Sequence, residues 1–107
     1  MSLLLPFLAA AQDGDVESLE SMLAPDAVLY ADGVRAPGPV AGLMVEAADE
    51  QFFHGPLELE LTTVDGRPGR LLRRPDGHVW EALSIDGADG LIRTINVIRD
   101  PSALAGL

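Results

Sequence analysis

The chain has 107 residues, enough for one core of ordinary size and too few for two, so a single domain spanning 1–107 is expected. Seventeen acidic residues against seven basic ones leave a formal charge of -10, which repels polyphosphate and argues against direct nucleic-acid binding. There is no cysteine, which excludes disulfides, thiolate metal sites and a cysteine nucleophile; His54 and His78 have no partner at ligand spacing, so neither a metal nor a cofactor is expected.

The apolar opening from Leu3 to Ala11 has no Lys or Arg before it and is too short to span a bilayer, which predicts a cytoplasmic chain with no membrane partner. Within it Leu4, Phe7, Leu8 and Ala11 recur at i, i+3, i+4 and i+7, the rhythm of one helix face, and this first helix is expected to end near Gln12. Gly14 can then take the left-handed conformation. Asp15 can cap a second helix carrying Val16, Leu19 and Leu23 on one side, with Pro25 directly after it. Ala27 to Tyr30 reads as a short strand closed by the Asp32-Gly33 turn. Beyond a Pro/Gly-rich passage, Val40 to Phe53 recovers helical spacing and predicts a third helix.

The period then changes. Leu57, Leu59 and Leu61 alternate with Glu58, Glu60 and Thr62, the pattern of a half-buried strand. Turn signals at Asp65-Gly66, Pro75-Asp76-Gly77 and Asp86 to Gly90 separate further strands over 69–74, 78–85 and 91–99, an antiparallel meander. Pro101 ends the last strand, and 102–107 is expected to form a brief helical cap. Helices followed by antiparallel strands make an α+β domain: three helices packed on a strongly curved antiparallel sheet, in the order of the cystatin-like cone.

Two stretches carry a resemblance. The run Phe7-Leu8-Ala9-Ala10-Ala11-Gln12-Asp13-Gly14-Asp15-Val16-Glu17-Ser18-Leu19, followed by Leu23-Ala24-Pro25-Asp26-Ala27-Val28-Leu29-Tyr30-Ala31-Asp32-Gly33, resembles the opening of a SnoaL-like, nuclear-transport-factor-2-like domain. Val64-Asp65-Gly66-Arg67-Pro68-Gly69 and Ile92 to Pro101 resemble a turn and the final strand of the SnoaL-like domain fused to the C-terminus of extracytoplasmic-function sigma factors. The resemblance implies a non-enzymatic regulatory domain, part of a longer regulator, that acts on transcription initiation through protein contacts or ligand sensing. Its implied partners are sigma-factor DNA-binding regions or RNA polymerase, a small hydrophobic ligand, and a second copy in a homodimer. That family carries Asp-Gly-Gly-Gly-Lys after its first strand, where this chain has Asp32-Gly33-Val34-Arg35. The alternative is a stand-alone SnoaL-like enzyme of the polyketide cyclase, ketosteroid isomerase or epoxide hydrolase type, with a pocket Asp as general base.

The candidate ligand-binding residues are Tyr30, Asp32, Arg35, Phe52, Phe53, Trp80 and Asn96. Tyr30 and Asp32 are the catalytic candidates if the chain is an enzyme, since a Tyr/Asp pair can move a proton beside a carbonyl; Asp32 can equally do no more than start a turn. Phe52, Phe53 and Trp80 either line an apolar pocket or complete the core. Strict alternation places Thr94 and Asn96 on one face with Ile92 and Ile98, inside the cone or at a solvated edge. His78 and Asp86, eight residues apart on an extended strand, would be separated by roughly 26 Å and cannot share a proton. Arg70, Arg73 and Arg74 read either as a grip for an acidic partner or as a solvated cluster balanced by Glu58 and Glu60.

Overall fold

A computed structural model describes residues 3–53 and 56–107, the side chains of 51–53 excepted. Helix α1 runs Leu4–Asp13 and ends at Gly14, whose φ of 68° lets its N–H reach the carbonyls of Ala10 and Ala11. Helix α2, Val16–Met22, starts on the Asp15 side chain, which accepts from the Ser18 amide. Strand β1 is Leu23–Ala31, β2 Val34–Arg35, helix α3 Val40–Phe53, β3 Glu58–Val64, β4 Arg67–Arg73, β5 Val79–Ala88, β6 Leu91–Ile98, and a short α4 spans Pro101–Leu104.

The strands form one open sheet in the order β2-β1-β6-β5-β4-β3. Three of its hairpins turn on Asp-Gly pairs, Asp32-Gly33, Asp65-Gly66 and Asp89-Gly90, and all six residues have positive φ, the backbone a two-residue primed turn demands. The meander from β3 to β6 is antiparallel as expected, but β1 lies parallel to β6. The two strands are far apart in sequence, so no hairpin ties them and antiparallel pairing is not imposed.

The first strand is longer than the sequence pattern suggests. It opens at Leu23, which was expected on α2, and includes Pro25. Pro25 is tolerated because the β1–β6 register breaks between Leu23 and Val28, while β2 pairs only with Tyr30 and Ala31, so the missing N–H removes no ladder bond. A second break falls in β6: Gly87 faces Ile92 and Asp86 faces Thr94, leaving Arg93 as an extra residue.

Helices α1 and α3 cover one face of the sheet. The main core joins Leu4, Phe7 and Leu8 of α1, Leu19 of α2 and Met44 of α3 to Leu29, Leu83, Ile85 and Ile95 of the sheet. On the other face a smaller cluster of Val64, Leu71 and Ala82 is closed by Leu104 of α4. The C-terminal cap expected from the sequence is thus a fourth helix with a packing role. The half-buried reading of β3 does not hold: Leu59 and Leu61 alternate as expected but remain 44% and 48% exposed, because this strand is the sheet's edge and the helices cover it only in part.

Gly69 on β4 is closely packed, since a Cβ there would lie 2.5 Å from the Leu83 carbonyl oxygen and 2.8 Å from Val64 Cγ2. Gly69→Ala is expected to destabilise the fold by about 1–3 kcal/mol through overpacking. Gly42→Ala, in α3 with open space around it, is expected to stabilise by about 0.5–1 kcal/mol. Urea unfolding of the two variants beside the parent chain checks both signs.

Candidate functional site

The cone opens on a cavity of about 250 Å³ between α3 and the ends of β1 and β6, lined by Leu29, Ala31, Ala36, Leu43, Met44, Ala47 and Val97, with Asp32, Glu46, Glu50 and Arg99 as its polar groups. That volume lies just below the range of about 300–1,000 Å³ usual for small-molecule sites.

Asp32 belongs to this cavity for a structural reason. At the first position of the β1–β2 turn, its Oδ1 accepts from the backbone amides of Arg99 at 2.8 Å and Asp100 at 3.0 Å, and its own N–H donates to the Val97 carbonyl. The turn is thereby fastened to the end of β6. Arg99 is in turn held by its side chain: Nε donates to Glu81 Oε2 at 2.7 Å, Nη1 to Glu50 Oε1 at 3.2 Å, and the guanidinium lies 4.7 Å from the Trp80 ring centroid. Burial alone would lower the Arg99 pKa, but the hydrogen bonds and charges of Glu81 and then Glu50 outweigh it and hold the pKa above its ordinary value.

Behind Arg99 lies a pair that sequence reasoning missed. Glu81 on β5 and Arg70 on β4 are buried on the helix-covered face, with side chains 1% and 3% exposed, and Arg70 Nη2 donates to Glu81 Oε1 at 2.7 Å. One carboxylate thus serves two guanidiniums, and the chain Arg70–Glu81–Arg99–Glu50 runs from the core to the cavity mouth. Arg70 is not part of a solvated arginine cluster. Of that cluster, Arg73 does balance Glu60, at 3.1 Å across β3 and β4.

The other sequence candidates divide. Tyr30 stands between Leu29 and Ala31, which line the cavity, and it pairs with Asn96, so both occupy the opposite face of the sheet from the cavity. Strict alternation misplaced Asn96 because the extra residue Arg93 shifts the phase: Ile92 packs in the main core while Thr94 and Asn96 do not. Arg35 is exposed on β2, outside the cavity lining. Trp80 supports the Arg99 guanidinium instead of lining the cavity. The side chains of Phe52 and Phe53 lie outside the described residues. His78 pairs with its neighbour Asp76, Nδ1 to Oδ2 at 3.0 Å, and Asp86 with Arg67. Among the described residues no group of three or more His, Cys, Asp or Glu side chains converges as a metal would need, and no helix is long and apolar enough to cross a membrane.

No protein-family model matches the chain, and no curated protein matches it in sequence. Solved structures do match it. An NTF2-like protein of unknown function from Cytophaga hutchinsonii superposes with a TM-score of 0.59 at 12% identity, over 96% of this chain and 91% of that one. A candidate isomerase of the SnoaL-like family from Agrobacterium tumefaciens gives 0.52 at 18% identity, over 90% and 93%. This chain has the NTF2-like, SnoaL-like fold. The extracytoplasmic-function sigma factor SigJ of Mycobacterium tuberculosis shares it, with a TM-score of 0.62 at 20% identity over 94% of this chain, which spans 42% of that sigma factor's length. Within this SnoaL-like cone, Glu81 is the residue on which the polar interior turns.

Replacing Glu81 alone leaves two guanidiniums without their shared counter-charge. Glu81→Gln is therefore expected to cost about 3–5 kcal/mol. The double variant Arg70→Met/Glu81→Met exchanges a buried ion pair for apolar groups of similar size and should recover most of that loss. Chemical denaturation of both variants measures the difference.

Proposed function

We propose that the chain is a non-enzymatic regulatory module, acting through protein contacts or ligand sensing in the manner of a domain attached to an extracytoplasmic-function sigma factor. The observation that supports this reading is how the carboxylates around the cavity are used. Asp32 accepts from two backbone amides, Glu81 lies between two guanidiniums, and Glu50 accepts from Arg99. A general base needs a lone pair directed at substrate, whereas these oxygens hold strand ends and a helix together.

The partner this reading names is basic. A surface of net charge -10 complements the positively charged helices of a sigma factor's promoter-binding regions, and such complementarity governs encounter and register. In this reading the chain works in the cytoplasm, touches no nucleic acid itself and forms a homodimer in isolation.

A second reading, a SnoaL-like enzyme, draws on one observation. Glu46 also lines the cavity, and a carboxylate at its mouth is the group a carbonyl isomerase or cyclase requires. Its exposure counts against it, because a base that abstracts a carbon-bound proton works best where water is excluded.

Substitution of Asp32 separates a fastening from a base. Asp32→Asn keeps an acceptor oxygen and is expected to leave the fold within about 1 kcal/mol of the parent, whereas Asp32→Ala should cost about 1–3 kcal/mol by orphaning two amides. Any turnover of a ketone substrate that is present in the parent and absent in Asp32→Asn would overturn the non-enzymatic reading. Mixing the purified chain with sigma regions 2 and 4 in trans should give a complex at about 0.05 M salt that weakens markedly by about 0.3 M, as screening predicts. Absence of a complex at low salt would count against docking.

A further inference from the structure

Arg70 offers a second polar feature, separate from the cavity at the cone's mouth. Its Nη2 is bound to Glu81, yet Nη1 has no hydrogen-bond partner among the described residues, although the side chain is only 3% exposed. A buried charged donor left unsatisfied is costly, so a fold that keeps one at its interior has a use for an acceptor there. Arg70 lines a small cavity with Leu8, Ala11 and Gln12 of α1, Met44 and Ala48 of α3, and Leu59 of β3. The space is about 10 Å³, room for roughly one oxygen-sized group.

An independent observation lies beside it. Leu61 stands directly across from Arg70 in the β3–β4 ladder and Leu59 directly across from Leu72, so both leucines share the sheet face of Arg70. They are 44% and 48% exposed, an apolar strip on an open edge that leads to the cavity Leu59 itself lines. A buried cation short of one acceptor, reached along an exposed aliphatic strip, matches one ligand chemistry.

We propose that this corner binds an aliphatic monocarboxylate: one carboxylate oxygen accepts from Arg70 Nη1 while the chain lies along Leu59 and Leu61. The cavity size admits the oxygen and excludes a ring, so the hydrocarbon stays on the edge strand. Gln12, exposed at the rim of the same cavity, carries an amide that can donate to the second oxygen. Charge selects the head group, since a carboxylate accepts from the unpaired guanidinium nitrogen of Arg70 more strongly than a hydroxyl does and an ammonium cannot accept at all. Met44, unbranched and flexible, can yield at the inner wall.

The probe is octanoate, titrated calorimetrically into the intact chain, with octanol and octylammonium as controls of equal tail length. Octanoate is expected to bind about tenfold or more tightly than octanol, the worth of one hydrogen bond to a charged group, and octylammonium not at all. Leu59→Asp and Leu61→Asp, both at exposed positions, should abolish the octanoate signal with the fold intact by circular dichroism. Arg70→Met/Glu81→Met should reduce octanoate to the level of octanol. Equal binding of octanoate and octanol, or octanoate binding unchanged by Leu59→Asp and Leu61→Asp, overturns the proposal, as does no heat with octanoate at all. Because sigma regions are absent from this titration, its failure leaves the docking reading standing.

Discussion

A carboxylate enclosed between two guanidiniums is the constraint on which this cone depends. Apolar contacts between helices and sheet are non-directional and tolerate sliding. The Glu81 contacts do not: they fix β5 against β4 through Arg70 and against the end of β6 through Arg99. Moving β5 by one residue would carry Glu81 to the face closed by α4, away from both partners. Such a network adds little net stability over an apolar replacement of the same shape, and its contribution here is a single register for three neighbouring strands.

Arg99 joins that interior to the cavity wall. Its backbone amide is fixed by Asp32 and its side chain by Glu81, Glu50 and the Trp80 ring. The corner where β1, β6 and α3 meet is therefore built from groups that already hold one another in place. Proton transfer calls for a group with capacity to spare, and recognition by a fixed shape does not. This difference, more than fold likeness, separates the two functional readings.

Much of the architecture was legible because it rests on short-range chemistry. At Asp32-Gly33, Asp65-Gly66 and Asp89-Gly90 both residues take positive φ, and each of these pairs marks a hairpin. The 3.6-residue rhythm of α1 and α3 follows from one buried face. What was not legible depends on registers set at a distance. Pro25 read as a stop after α2, since the break in β1–β6 pairing that excuses it is a tertiary feature. Asn96 was assigned by counting in twos from Ile92, and one unpaired residue, Arg93, invalidates the count. Glu81 belongs to no motif, and its burial depends on partners from two other strands. The signal that would have found it is a lone acid inside the apolar run from Trp80 to Ile85, with arginines on the strands to either side.

The acidic net charge of the chain has a kinetic consequence for any anionic ligand. A net charge of -10 repels an approaching anion over distances comparable with the Debye length, about 8 Å at physiological salt. At the buried end of Arg70, however, one guanidinium nitrogen has no hydrogen-bond partner among the described residues, so an anion that arrives meets a donor. Long-range repulsion acts on the rate of encounter, while contacts in the site govern the rate of escape. An anionic ligand would therefore associate slowly at low salt and faster as salt rises, the reverse of the behaviour expected for a basic protein docked on the outer surface.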